Sequence, residues 1–198
     1  MREGARAERA DATRGLLLAA AQELFAERGY AAVGTEEVVR RAGVTRGALY
    51  HHFRDKRDLF RAVYEQVEEG VIASIAREME AASSTGPWEL LLAGVQSFLD
   101  QCADPGVMRI SLRDAPEVLG REEWRAIGER YALGMVTAAL GGAMDAGAIR
   151  RIDLDTLAQL LLSAFSEAAL LIATAEDRAR ARPRVEKTLM ALLDGLRT

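Results

Sequence analysis

The amino-acid sequence predicts an all-α protein of about nine helices, a three-helix head followed by a larger helical body. Three observations carry that expectation. Ala and Leu dominate, aromatics make up only 6% and prolines number 4 in 198 residues, a composition rich in helix formers and poor in breakers. Apolar residues recur at intervals of three and four along most segments, the spacing that lines one face of a helix. Short clusters of Gly, Pro, Ser and Asp separate these segments and supply starts and stops.

In chain order, residues 1–12 are charged and small, with little to bury, and read as a flexible arm. A helix follows from Thr13 to about Arg28, where Leu17, Ala20, Ala21, Leu24 and Phe25 form an inward stripe and Gly29 ends it. Gly34-Thr35 is a pair able to cap a second helix, whose first turn holds Glu36 and Glu37 at the positive end of the helix dipole. Val38, Val39 and Ala42 face inward, and Gly43 turns the chain, since glycine takes a positive φ without strain. A third helix opens at Thr45, whose hydroxyl can accept from a free backbone N–H, and runs Arg46-Gly47-Ala48-Leu49-Tyr50-His51-His52.

Leu49 and Phe53 share the buried face of that third helix, which leaves Arg46, Gly47, Ala48, Tyr50 and His51 directed outward. This surface suits a DNA major groove. Small side chains allow close approach, Arg can bond a guanine edge bidentately, and Tyr and His can reach phosphate oxygens. Thr35, Thr45, His52 and Lys56 complete the expected DNA-binding set, His52 from a half-buried position and Lys56 through a phosphate.

The body begins within the next helix, which opens at Arg54 to Asp58 and continues through Leu59, Val63, Val67, Val71 and Ile75 toward Ala82, so the domains read as 13–61 and 62–198. Ser83 to Pro87 breaks it, with Pro87 in the first turn of a helix from Trp88 to Cys102. A short helix starts at Asp104-Pro105 and ends at Asp114-Ala115-Pro116, with a loop from there to Gly120. Glu122 and Glu123 open the next, which Gly128, Gly134, Gly141 and Gly142 interrupt, a pattern that fits either tight helix packing or room for a ligand. Asp153 to Ala175 is apolar nearly all round, and Pro183 to Arg197 adds a second stripe. One chain has few helices left to cover both, so a two-fold homodimer is expected, with Leu161, Ala168, Leu189, Leu192, Leu193 and Leu196 at the interface. Glu167, in the middle of the apolar helix, needs a cation, a donor or protonation if buried, or serves a polar group on a ligand.

The net charge of −4 is unevenly spread: residues 1–61 hold 12 Lys/Arg against 9 Asp/Glu, and the remainder 14 against 21. The basic excess lies on the head, as a nucleic-acid module requires. Cys102 is the one cysteine, so no intramolecular disulfide can form, and a buried, inert thiol in a reducing cytoplasm is expected. Neither a signal-peptide pattern nor an uninterrupted apolar run of membrane-spanning length is apparent, so no membrane partner is expected. The adjacent His51 and His52 diverge by about 100° on a helix and cannot chelate one metal. No nucleophile with a partner base and no phosphate loop is present, so neither catalysis nor a cofactor is expected.

The segment AGVTRGALYHHFRDKRDLF, Ala42 to Phe60, resembles the TetR family of bacterial transcription regulators, and the resemblance extends from Thr13 to about Phe60. Gly34 departs from the pattern, in which Ser or Thr is more frequent, leaving Thr35 as the phosphate contact. The resemblance implies a ligand-responsive regulator, read as a repressor, that binds a palindromic double-stranded operator as a homodimer formed by its last two helices. It also implies release by a small-molecule effector in a largely apolar cavity, with Phe98, Met108, Leu112, Trp124, Tyr131, Met135, Phe165 and Glu167 as its expected lining. The same DNA-binding half serves repression and activation. The competing reading is a helical ligand-binding or interaction protein without DNA function, which would show no salt-dependent DNA binding.

Overall fold

The computed structural model describes residues 2–84 and 86–198, with side chains from Glu8 onward. Met1, and Thr85 in the break expected after the linking helix, lie outside the described residues. Among the described residues nine helical segments make up the fold: α1 (Arg2–Arg28), α2 (Thr35–Ala42), α3 (Arg46–His52), α4 (Lys56–Ala81), α5 (Pro87–Ala103), α6 (105–118), α7 (Arg121–Asp145), α8 (Leu154–Thr174) and α9 (Arg178–Asp194). Among the described residues the extended pairing is one isolated antiparallel bridge, Ile149 with Arg197.

The chain divides into two units, Met1–Val67 with Pro105–Arg121, and Glu68–Asp104 with Glu122–Thr198. In the first, Leu17, Leu24 and Phe25 of α1 pack with Val38, Leu49, Phe53, Leu59 and Phe60, all buried. Phe60 meets Phe25 edge-on at 5.3 Å and Tyr30 at 5.0 Å between centroids, a favoured aromatic geometry. Two ion pairs on the surface, Arg28–Glu37 at 2.6 Å and Arg41–Glu23 at 2.9 Å, join α1 to α2.

Two expectations about this unit change. The flexible arm expected over residues 1–12 is, from Arg2, the opening of α1. The boundary at residue 62 moves to 67/68, and residues 105–121, assigned to the body by sequence, belong with the head. The reason is polar. The Tyr30 N–H donates to Asp114 Oδ2 at 2.6 Å, and the Arg57 guanidinium donates to the carbonyls of Val118 and Leu119, each at 3.1 Å. These pairings satisfy backbone groups at a loop and at a helix end that would otherwise lack partners.

α6 also runs on past the expected stop. Its middle, Met108–Asp114, winds as a π-helix, the Ala115 N–H reaching back to Ile110 O, and Ala115–Val118 continue as α-helix. Pro116 does not end it, because the first turn of a resumed helix needs no proline N–H. Gly120, at φ +85°, does.

The second unit is a helical bundle whose core includes Trp88, Leu91 and Leu99 of α5, Leu140 and Met144 of α7, Leu157, Leu161 and Ile172 of α8, and Leu189 and Leu193 of α9. Asp153 caps α8 by accepting from the Thr156 N–H at 2.9 Å, and Asp177 caps α9 by accepting from Arg180 at 3.1 Å. α9 therefore starts before Pro183, which sits inside the helix, where the carbonyl it strands belongs to exposed Ala179 and can turn to water. α8, although interrupted by Asp155 and Glu167, is long and apolar enough to cross a membrane by length and composition. Here it packs against α5 and α9 within the bundle.

Candidate functional site

The outward face of α3 is built by two backbone devices. At the end of α2, Gly43 adopts the left-handed conformation (φ 67°, ψ 27°). Its N–H bonds Arg40 O, and the Val44 N–H bonds Val39 O at 3.1 Å, the paired bonds of a Schellman stop. Two residues later Thr45 caps α3, its Oγ1 accepting from the Ala48 N–H at 3.2 Å. With one lone pair committed to the cap, the Thr45 hydroxyl keeps its proton for an acceptor outside. At α2 the expected cap is missing: Gly34 occupies the N-cap position with extended backbone and no side-chain bond, and Thr35 is the first helical residue.

Leu49 and Phe53 anchor α3 in the core, while Arg46, Gly47, Tyr50 and His51 are exposed and Ala48 and His52 half-buried. The structure thus brings Thr35, Thr45 and the α3 set together on one surface of the head. Tyr50 is 45% exposed, and the Arg46 guanidinium lies over its ring at 5.6 Å. The Thr35 hydroxyl, followed by Arg46, holds the Tyr50 phenol below its ordinary range by hydrogen bonding. This coupling of α2 to α3 is not visible in the sequence, where Thr35 and Tyr50 read as separate contacts. Arg46 also approaches Glu36 at 3.4 Å with both side chains solvated, an ion pair weak enough to exchange for a phosphate or a base. His51 and His52 stand edge to face at 5.2 Å, and among the described residues no group of three His, Cys, Asp or Glu could hold a metal ion.

Lys56 is placed differently from the expectation. Its ammonium donates to the Tyr30 carbonyl and lies 3.9 Å from the centroid of the Tyr30 ring. Burial pushes its pKa down and Asp114 opposes that. One of the three N–H donors expected to face a phosphate is committed to the loop between α1 and α2.

The second unit holds a cavity of about 130 Å³, counted as the space the centre of a water molecule can reach. Since one water needs roughly 10–15 Å³ by that measure, the space admits a small organic molecule. Val71, Ile72, Ile75 and Met79 of α4 line it with Leu91, Gly94, Val95 and Phe98 of α5, Gly128, Ala132, Met135 and Val136 of α7, and Leu161, Leu162 and Phe165 of α8. The rings of Phe98 and Phe165 meet at 5.7 Å. Glu68 and Ser166 are the polar members of the wall, and the Ser166 hydroxyl donates to Leu162 O at 3.0 Å.

Of the eight residues expected at this cavity, Phe98, Met135 and Phe165 line it. Met108 and Leu112 belong to the head unit, Trp124 is buried away from it, Tyr131 is half-buried outside its wall, and Glu167 is exposed. Periodicity fixes which residues share a face but not which neighbour the face meets, and the whole α4 wall was missed for that reason. The expected dimer set divides as well. Leu161, Ala168, Leu189 and Leu193 are buried within the chain, Leu196 is half-buried and Leu192 is 56% exposed. Leu160 and Leu171, part of the all-round apolar surface of this helix but outside the expected interface set, are 64% and 54% exposed on α8. Cys102 is buried, and desolvation pushes its thiol up to about 12, which leaves it protonated.

Comparison with known proteins agrees with this geometry. A family described as "Bacterial regulatory proteins, tetR family" matches residues 17–63, and one described as "Tetracyclin repressor-like, C-terminal domain" matches residues 88–196, more than half of the chain. The chain belongs to the TetR family. It is similar to the Transposon Tn10 TetC protein of Escherichia coli, 30% identical over 154 residues that cover 78% of this chain and 77% of that one. It is also similar to the transcriptional activator FasR of Mycolicibacterium smegmatis, 37% identical over 90 residues, 46% of this chain and 40% of that one. A crystal structure of a TetR-family regulator from Pectobacterium atrosepticum is 33% identical, covers 96% of this chain and 97% of its own, and superposes with a TM-score of 0.83. As a TetR-family member the protein is a DNA-binding transcription regulator, in a family of regulators rather than enzymes.

Proposed function

We propose that the protein is a ligand-responsive repressor that binds a palindromic operator as a homodimer and releases it when a small, largely apolar molecule enters the body cavity. The observation that carries this reading is the cavity wall. Five helices contribute to it, and one of them, α4, is a single unbroken helix whose earlier residues Leu59, Phe60 and Val63 are buried in the head core. A ligand that favours one arrangement of α4 over another shifts the population able to grip DNA, and only by its difference in affinity for the two. Two α3 helices related by a dyad would enter successive major grooves, with Arg46 at base edges and Thr35, Thr45, Tyr50 and His51 at phosphates, Gly47 and Ala48 allowing the approach and His52 supporting it.

The test pairs a thermal-shift screen of small aromatic and aliphatic compounds with fluorescence anisotropy on a selected palindromic duplex. Compounds that raise the melting temperature should also release DNA. In Ala132→Leu, three added carbons occupy the cavity, so release should need at least about tenfold more compound while DNA affinity stays unchanged. Compounds that stabilise the protein yet never alter DNA binding would overturn the reading.

A further inference from the structure

Glu36 and Arg46 meet where the first turns of α2 and α3 come together on the surface assigned above to DNA. Arg46 Nη1 donates to Glu36 Oε1 at 3.4 Å, and the same guanidinium lies over the Tyr50 ring at 5.6 Å. Both members of the ion pair are open to solvent, Glu36 at 81% and Arg46 at 64%. The adjacent Glu37 is engaged elsewhere, with Arg28 at 2.6 Å and Arg40 at 3.7 Å. An exposed carboxylate on this surface opposes the polyanion that the surface is to meet, so its presence calls for a reason.

Duplex DNA offers Arg46 two kinds of acceptor. Phosphates are charged and alike at every sequence, whereas guanine O6 and N7 are neutral and mark particular positions. A guanidinium carries five N–H donors in a planar fork, so one donor engaged on Glu36 leaves others free for the two guanine acceptors. At a phosphate the same pairing is unfavourable. The Glu36 carboxylate, 3.4 Å from the guanidinium, is brought alongside the anion and its charge cancels the attraction. We propose that Glu36 is a specificity-determining residue, which holds Arg46 for base reading and denies it to phosphates, so that DNA of the wrong sequence is bound weakly. The inference rests on the base contact given to Arg46 above. Discrimination then comes from an unfavourable contact with wrong sites as well as from a favourable one with the right site.

The test is Glu36→Gln, which keeps the side-chain length and an amide oxygen but removes the charge. Fluorescence anisotropy compares a palindromic duplex selected by the parent protein with a scrambled duplex of the same length. Without the carboxylate, Arg46 gains a phosphate in each half of the scrambled duplex. Two such contacts steepen the slope of log Kobs against log salt by about 1.8 and tighten binding about thirtyfold at about 0.15 M salt. Binding to the selected duplex, where Arg46 is on a base in both proteins, should stay within about twofold, so the ratio of the two affinities falls by roughly tenfold or more. Stoichiometric titration with the selected duplex establishes that the variant is folded. In the Arg46→Ala background, Glu36→Gln should leave the ratio as it stands, since no guanidinium remains to be redirected. An unchanged slope and ratio in Glu36→Gln, or an equal fall in the ratio in the Arg46→Ala background, would overturn the role of Glu36 alone. If Arg46→Ala keeps the parent's preference at every base pair of the selected site, the base contact falls and this inference falls with it.

Discussion

Lys56→Met separates two roles that the sequence merges. The side chain donates a charge-assisted hydrogen bond to Tyr30 O and holds its ammonium 3.9 Å from the Tyr30 ring centroid. A hydrogen bond from a charged donor contributes about 1.5–3 kcal/mol and an exposed cation–π contact about 0.5–1 kcal/mol, while methionine keeps much of the stem in place. The expected loss is therefore about 2 kcal/mol, which in a chain of this size lowers the melting temperature by about 4–8 °C. Urea titration followed by far-ultraviolet circular dichroism reads the stability. Anisotropy on a duplex over a range of salt concentrations reads the charge at the DNA. A lysine held by Tyr30 leaves the slope of log Kobs against log salt almost unchanged, whereas loss of a phosphate contact reduces it by about 0.9. A variant as stable as the parent, with that smaller slope, would refute the structural assignment.

Other consequences are as direct. Tyr50→Ala removes an exposed phenol bonded to Thr35 and should weaken operator binding by about tenfold, the worth of one phosphate hydrogen bond, with the melting temperature unchanged; equal gel-shift affinity would count against the face assigned to DNA. Gly134 lies within α7 with nothing inside 4 Å of an added Cβ, so Gly134→Ala should raise stability by about 1 kcal/mol, read as a higher urea midpoint. The Asp58 carboxylate accepts from the Arg54 N–H at 3.1 Å, and that bond holds its pKa below the usual 3.8. Its contribution to stability is fully present above 3.8 and is lost as pH falls through the lowered folded value, so Asp58→Asn should make the acid limb of the stability curve shallower.

The head was largely legible because each of its signals is local. Glu36 and Glu37 mark the start of α2, Gly43 its end and Thr45 the start of α3, and Leu49 and Phe53 define the buried side of α3 by spacing alone. The boundaries that moved in the body were set at prolines. Pro116 and Pro183 read as boundaries, yet each sits where its missing N–H costs little. The body was less legible, since cavity and interface depend on how whole helices are rotated. Of the four glycines whose pattern fits either tight packing or room for a ligand, Gly128 lines the cavity, Gly134 and Gly142 face open space and Gly141 touches Leu154. Glu167 is expected at the cavity because its neighbours in sequence are apolar, whereas its neighbours along the helix face, Leu160 and Leu171, are themselves exposed.

Tyr30 has its amide held by a side chain 84 positions later in the chain and its carbonyl by one 26 positions later. A ribosome adding about 5–20 amino acids each second needs several seconds after the last residue of α3 emerges before Asp114 exists to be used. Until then the nascent head has an amide with no acceptor and is short of α6. A gene fragment truncated after Val67 would leave its product in that same unfinished condition for good, so whoever wants this DNA reader as a portable module must carry residues 105–121 with it.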